Sequence, residues 1–202
     1  FAGGRSILAW RSSDHIPSGP MRELAAVAMI LSAGCAGPWS VLLRSGPPPA
    51  LRGARQVTVF IDTSELEVDG VPLAELEARI SAAERSELES AMRAATMAFT
   101  SELSSEMPVP ISLAHSPPSE GELRMSARFL RISRGARGTI GPATEIAMRL
   151  DWYDGTEVVD AIEMARTSSA SVARPSISRR MRLCAVGLAG LAVSFFESEQ
   201  DR

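Results

Sequence analysis

The chain has 202 residues, of which 45% are hydrophobic and 22% are charged, and its formal net charge is −3 at pH 7. This length suffices for one domain of ordinary size that buries its own core. Arginine supplies every basic residue, and the slightly acidic balance does not favour nucleic-acid binding, which normally needs a basic domain.

The first 34 residues have the pattern of segments that a mature protein does not keep. Residues 1–20 show no periodicity and precede Met21, so we interpret them as an upstream segment outside the mature protein. Residues 21–34 contain Arg22 and then an apolar run from Leu24 to Leu31. This run is typical of a signal peptide and is too short to span a membrane.

A short motif closes the signal peptide and comprises Leu31, Ser32, Ala33, Gly34 and Cys35. The motif resembles the lipobox of bacterial lipoproteins, and this resemblance implies signal-peptidase recognition by the first four residues and lipid attachment at Cys35. By resemblance to lipoprotein sorting in Gram-negative bacteria, aspartate at the position of Ala36 would favour retention in the inner membrane. With alanine there, the resemblance implies that the lipidated protein is anchored in the inner leaflet of the outer membrane and faces the periplasm. The alternative is a buried apolar helix that ends in such a motif by chance.

Residues 35–55 predict a lipidated cysteine followed by a tether, because they are rich in proline and glycine, as in the run Pro47 to Pro49. From Cys35 onward the chain contains 18 positively charged arginines and 22 negatively charged acidic residues. Cys184 is then the only other cysteine, and its place on an apolar helical stripe predicts a buried thiol without a disulfide. We expect residues 56–202 to form a single α+β domain.

The domain begins with a strand, a small hairpin and a long helix. Alternation over residues 57–61 predicts a central strand that is buried on both faces. The Asp-Gly pair at residues 69–70 predicts a turn, and Pro72 restricts the second short strand to an edge. Ser81 and Glu84 form a capping box, and apolar residues continue at helical spacing to Leu103. One face of this helix is therefore expected to pack on the sheet.

The second half predicts three antiparallel strands and a final helix. Residues 123–132 alternate with a change of parity near Phe129, which indicates a bulge. The segments 144–152 and 158–164 alternate around an Asp-Gly turn and predict a hairpin. After Ser176, an apolar stripe fits a core helix better than a membrane span. We predict an α+β fold: a two-layer sandwich with a mixed or mostly antiparallel sheet of about four to five strands and two long helices on one face.

The order of these elements over residues 55–197 resembles small bacterial lipoproteins of unknown function. The similarity rests on the lipobox, a Val-rich first strand, Phe99 and Leu103 near the end of the long helix, an Arg-Gly loop before a strand, and the turn from Asp151 to Gly155. The plan is similar to that of the N-terminal domains of TolB and of the curli secretion lipoprotein. The resemblance implies an envelope assembly or accessory role and supplies no catalytic residues.

Candidate catalytic and metal-binding residues are few. His115 is the only histidine after Cys35, so a Ser-His-Asp arrangement or a zinc site lacks partners. Acidic residues cluster from Asp62 to Asp69 and from Asp151 to Glu157, where a pair of carboxylates would suit a hydrolase. The glycine-rich loop at residues 135–141 joins two predicted strands, which indicates a hairpin loop and not a phosphate site. We predict no cofactor, no metal and no nucleic-acid partner.

A run of five arginines is the strongest candidate for binding: Arg124, Arg128, Arg131, Arg134 and Arg137. In one interpretation they form cross-strand ion pairs on a solvated sheet face, with Glu122, Glu145 and Glu163 as partners. In the other they contact lipid headgroups, an acidic glycan or an acidic protein partner, because guanidinium groups suit phosphate and carboxylate.

These observations favour a non-enzymatic accessory, assembly or binding module of the bacterial envelope, with a membrane contact through Cys35 and an envelope protein as partner. One alternative is an envelope hydrolase that uses loop carboxylates or His115. Another is an auxiliary lipoprotein of a lipid-transport complex. A pocket that gathers His115 or two carboxylates would favour the hydrolase, whereas a flat sheet face or an apolar groove would favour binding.

Overall fold

A computed structural model describes residues 38–44, 51, 53–114 and 123–201. All of these belong to one compact unit, Gly37–Arg202. The upstream segment, the signal peptide with its motif, Cys35, the proline run at 47–49 and His115 therefore lie outside the described residues.

Eight strands of the described residues form one open, mixed sheet. Their bounds are β1 Trp39–Arg44, β2 Val57–Asp62, β3 Glu67–Val68, β4 Val71–Pro72, β5 Ile111–Ala114, β6 Arg124–Ser133, β7 Thr144–Asp154 and β8 Glu157–Ser168. The order is β1-β8-β7-β6-β2-β5, and β3 pairs with both β4 and β6. β2 runs parallel to β5 and β6, and β3 runs parallel to β6. The α+β class is confirmed, but the predicted four to five strands are too few.

The two predicted hairpins are present, and each has a glycine at a positive φ angle. Asp69 and Gly70 connect β3 to β4 with φ angles of 53° and 78°, as a two-residue turn of this kind requires. Gly155, with φ of 59°, lies in the turn between β7 and β8. The predicted bulge is also confirmed, because the β6–β7 register shifts between Phe129 and Arg131. The bulge lets the strand change parity without breaking its pairing.

Three helices have bounds within the described residues: α1 Leu73–Arg79, α2 Ala82–Glu106 and α3 Ile177–Gln200. The capping box of α2 is confirmed, since the Ser81 hydroxyl accepts from the Glu84 amide and the Glu84 carboxylate accepts from the Ser81 amide. Ser176 caps α3 by accepting from the Arg179 amide at 3.2 Å.

Both long helices pack on the same face of the sheet. Phe99 of α2 contacts Phe129 of β6 with ring centroids 6.5 Å apart. Phe196 of α3 stacks on Trp152 of β7 at 5.5 Å. By length and composition α3 is apolar enough to cross a membrane, but its buried side chains form much of this core. This matches the prediction of a core helix.

β1 corrects the predicted domain boundary. Residues 39–44 fall in the segment assigned to the tether, yet they form an edge strand that pairs antiparallel with β8. The Trp39 ring meets the edge of Phe195 at 5.8 Å, and Arg44 forms an ion pair with the buried Glu199 at 2.9 Å. The domain therefore includes Trp39 and does not begin at residue 56. The pattern of β1 concealed it, because five of its six residues are exposed.

Candidate binding surface

The register of β2, β6 and β7 places nine side chains in three rows on the sheet face opposite α2 and α3. We call this surface the open face, and its rows are Thr58, Arg124 and Tyr153; Phe60, Ser126 and Asp151; and Asp62, Arg128 and Arg149. No helix of the described residues packs on it. Whereas the helix-covered face is apolar, the open face carries charged, hydroxyl and aromatic groups.

A depression of about 300 Å³ lies at the centre of the open face. Its walls combine the aromatic rings of Phe60 and Tyr153 with two guanidinium groups, one carboxylate and two hydroxyls, contributed by Arg124, Arg128, Asp62, Ser126 and Thr156. A few polar groups among apolar surfaces is the usual composition of a small-molecule site.

Arg128 is held at this depression by two carboxylates. Its Nε donates to Asp62 at 3.0 Å, and its Nη1 donates to both oxygens of Glu65 at 3.2 Å. Burial lowers the pKa of Arg128, but the negative charges of Glu65, Asp62 and Asp151 outweigh that effect and raise it. Arg128 is therefore a fixed positive charge with one exposed partner, because the Glu65 side chain is 63% exposed.

Asp62 is equally fixed in its charged form. Partial burial alone raises the pKa of Asp62, but the hydrogen bonds from Ser64 and the charge of Arg128 outweigh it, so this pKa lies below its ordinary value. The Ser64 amide donates to the Asp62 carboxylate at 2.9 Å. An ionised carboxylate of this kind suits ligand binding and does not suit a general acid, which needs a raised pKa.

Arg124 forms the opposite wall of the depression. It is 6% exposed, and its guanidinium carbon lies 5.6 Å from the centroid of the Tyr153 ring. A cation over an aromatic face is an attractive arrangement that also restricts the arginine. In the neighbouring row, Arg149 donates to the buried Asp151 at 2.7 Å. Packing and ion pairs thus order the charged groups of the open face before any ligand binds.

The structure does not gather the five predicted arginines into one surface. Arg124 and Arg128 lie on the open face, and Arg131 follows after the bulge, where it pairs with Glu145 at 2.9 Å. Arg134 pairs with Asp69 at 2.5 Å, and Arg137 pairs with Glu87 at 3.1 Å. The last two line one surface depression together with Ala83, Glu84 and Glu87 of the N-terminal part of α2. Of the predicted cross-strand partners, Glu145 pairs with Arg131, Glu163 is opposite Arg149 in the register, and Glu122 is outside the described residues.

The predicted acidic clusters are also divided. Asp62 and Glu65 meet at Arg128, whereas Asp69 lies in the β3–β4 turn and pairs with Arg134. Asp151 lies on the open face, and Asp154 is at the end of the hairpin. In the parts of the chain that the structure describes, no three histidine, cysteine or acidic side chains form a group able to hold a metal ion.

Arg180 is a structurally important residue that the sequence analysis missed. It is fully buried at the end of the first turn of α3. Its Nε donates to the Thr144 hydroxyl at 2.8 Å, and its two Nη atoms donate to four main-chain carbonyls, those of Ala136, Gly138, Arg174 and Pro175. The one signal was a charged residue on the apolar stripe of the helix. Arg180 joins the β6–β7 loop to the segment that precedes α3.

No protein-family model matches this chain, and no curated protein matches it. Among solved structures, PelC from Paraburkholderia phytofirmans, described as a dodecamer, is 14% identical with a TM-score of 0.39 over 74% of this chain and 95% of that chain. A protein of the DUF330 family from Xanthomonas campestris, XCC0632, is 11% identical with a TM-score of 0.36 over 83% of this chain and 100% of that chain. At such TM-scores we draw no functional argument from either. The similarity to TolB and the curli secretion lipoprotein stays a prediction.

Proposed function

We propose that this chain is a lipid-anchored protein of the bacterial envelope that acts as a binding module, with the open face as its recognition surface and an acidic glycan as the ligand class. The observation that supports it most is the depression bounded by Phe60, Tyr153, Arg124 and Arg128. Aromatic rings pack against the faces of sugar rings, and guanidinium groups bind carboxylates.

The exposed Glu65 suggests how an acidic ligand is accepted. Its carboxylate occupies Nη1 of Arg128 from the solvent side, whereas the less exposed Asp62 occupies Nε. A ligand carboxylate therefore replaces Glu65 and leaves Asp62 in place. Since an exposed ion pair is worth up to about 1 kcal/mol, the displacement costs little.

Calorimetric titration with trigalacturonate, and with maltotriose as the neutral comparison, tests this proposal. We expect the acidic trisaccharide alone to bind, and Ser126→Trp, which fills the depression, to abolish its binding. Glu65→Gln should tighten binding by up to about fivefold, because the ligand no longer competes with an exposed ion pair. Glu89→Gln on the exposed side of α2 makes the same charge change away from the open face and should have no effect. Equal affinity for both trisaccharides, or binding that survives Ser126→Trp, would overturn the glycan assignment.

Lipid attachment is tested separately by metabolic labelling with a fatty acid. The wild-type chain should incorporate label and fractionate with the outer membrane, and Cys35→Ala should do neither. Label that persists in Cys35→Ala would refute the anchor, whatever the titrations show.

A further inference from the structure

Two loop tips of this domain expose large apolar side chains to an unusual degree. Ile140 in the β6–β7 loop is 88% exposed, and Val172 before α3 is 87% exposed, whereas the next most exposed large apolar side chain of the described residues, Met97, is at 65%. Single apolar residues on a surface are common, but two of them at neighbouring tips form a feature that needs an explanation.

Each tip has a closed and well-defined base. The amide of Ala136 donates to the carbonyl of Pro142 at 3.0 Å, which closes the loop that presents Ile140. The amide of Arg174 donates to the carbonyl of Ser171 at 2.9 Å, which closes the turn that presents Val172. The backbone therefore holds both side chains outward.

Arg180 places the two tips side by side. One nitrogen, Nη1, donates to the carbonyls of Gly138 at 3.4 Å and of Arg174 at 3.0 Å. These carbonyls lie two residues from Ile140 and two residues from Val172, respectively. The two loops that carry Ile140 and Val172 are therefore neighbours, and we call this part of the domain the loop end.

The loop end also carries positive charge. Arg174 and Arg179 are exposed, and no carboxylate of the described residues forms an ion pair with either of them. The nearby Arg134 and Arg137 each have a carboxylate partner, and Glu84 lies beside them, so the surplus of positive charge at the loop end comes from Arg174 and Arg179. Apolar tips among unneutralised arginines match a bilayer surface with anionic headgroups.

The direction of β1 favours a bilayer over a protein as the occupant. Trp39 is level with Met164, and β8 continues from there to Ser168 and the turn that presents Val172. The N-terminal end of β1 is therefore at the same end of the sheet as Ser168. Cys35 is only four positions before Trp39, which limits the distance between their Cα atoms to about 14 Å. A lipid on Cys35 thus keeps the loop end within reach of its own membrane.

We propose that the loop end is a membrane-contact site, in which Ile140 and Val172 enter the interfacial layer of the bilayer while Arg174 and Arg179 bind anionic lipid headgroups. This inference deepens the proposed function, since the bilayer is the one that holds the Cys35 lipid. The contact fixes the orientation of the domain on the membrane, which a single flexible anchor does not.

A local fluorescence reporter tests the contact. Full-length protein with Cys35→Ser receives one new cysteine, Ile140→Cys or Val172→Cys, and is labelled with a nitrobenzoxadiazole dye; the buried Cys184 does not react. With vesicles of phosphatidylcholine and phosphatidylglycerol, we expect the emission at both sites to shift to shorter wavelength and to be quenched by brominated lipid. Dye on Ser104→Cys, an exposed position near the C-terminal end of α2, should show neither effect.

A double variant links the reporter to binding strength. Ile140→Ser with Val172→Ser should lower the vesicle partition constant about tenfold or more, since two apolar side chains no longer leave water. Both positions are exposed, so an unchanged circular-dichroism spectrum will show that the variant folds. An absent shift at residues 140 and 172, or an equal shift at residue 104, would overturn this proposal and leave the Cys35 labelling result untouched.

Discussion

Replacing Arg180 by methionine tests the most demanding electrostatic feature of the fold. The guanidinium is fully buried and donates five hydrogen bonds, four of them to carbonyls of two different loops. Hydrogen bonds from a charged donor contribute about 1.5–3 kcal/mol each. In Arg180→Met this loss is partly offset, because the loop carbonyls form hydrogen bonds with water and the fold no longer bears the cost of desolvating a guanidinium group. We therefore expect a loss of about 3 kcal/mol in the free energy of unfolding.

Urea denaturation measures this loss, and Arg179→Met is the matched control. Arg179 is adjacent and exposed, so its substitution should change stability by no more than about 0.5 kcal/mol. Hydrogen exchange adds a local measurement. The amides of Ala136 and Arg174, which close the two loops, should exchange faster in Arg180→Met than in the wild type. A difference between the two variants below about 1 kcal/mol, with unchanged exchange, would refute the role assigned to Arg180.

Three further predictions concern glycine, cysteine and aspartate. Gly135→Ala should destabilise the fold by about 2 kcal/mol more than Gly70→Ala does. Both glycines have a positive φ angle, but at Gly135 the new Cβ would lie 2.6 Å from the carbonyl oxygen of Ala143, whereas at Gly70 it would meet no atom within 4 Å. Melting curves of the two variants measure the difference. Burial and, to a smaller extent, the charge of Glu145 raise the pKa of the Cys184 thiol from 9.0 to about 11. Iodoacetamide should therefore label Cys184 at pH 8 only after unfolding. The stability of the fold should also fall as the pH rises from about 9 to 11, because the unfolded thiol ionises first. In the folded protein the pKa of Asp62 lies below 3.8, so the stability that its carboxylate contributes is complete above that pH and is lost as the pH falls through the folded pKa. Asp62→Asn should remove this part of the acid sensitivity in unfolding curves, and an unchanged pH profile of stability would contradict the prediction.

Local signals predicted most of the elements correctly. The capping box at Ser81 and Glu84 fixed the start of α2, and the parity change near Phe129 located the bulge in β6. The Asp-Gly turn at residue 69 closed the β3–β4 hairpin as expected. Each of these features depends on residues within one or two turns of each other, where steric and hydrogen-bonding rules act directly.

Features that depend on distant residues were not predicted. β1 is held by β8 and by the ion pair between Arg44 and Glu199, which lie 155 positions apart, and its own residues show no buried alternation. The open face likewise depends on contacts between residues that are distant in the sequence. Asp62 and Arg128 are 66 positions apart, and only the parallel pairing of β2 with β6 makes them neighbours. Charge clustering along the chain therefore indicated the arginines and the partner Glu145 of Arg131, but it did not indicate that Asp62 and Glu65 hold Arg128.

The edge position of β1 also determines how the domain carries mechanical tension. Any pull on the chain upstream of Trp39 enters the fold through β1, and a pull along the strand axis loads this strand in shear against β8. Tension in that direction strains the hydrogen bonds to β8 together, and Trp39 against Phe195 and Arg44 against Glu199 resist it at the two ends of the strand. The strand that hydrophobic patterning conceals is thus the first one to bear tension applied to the N-terminal side of the domain.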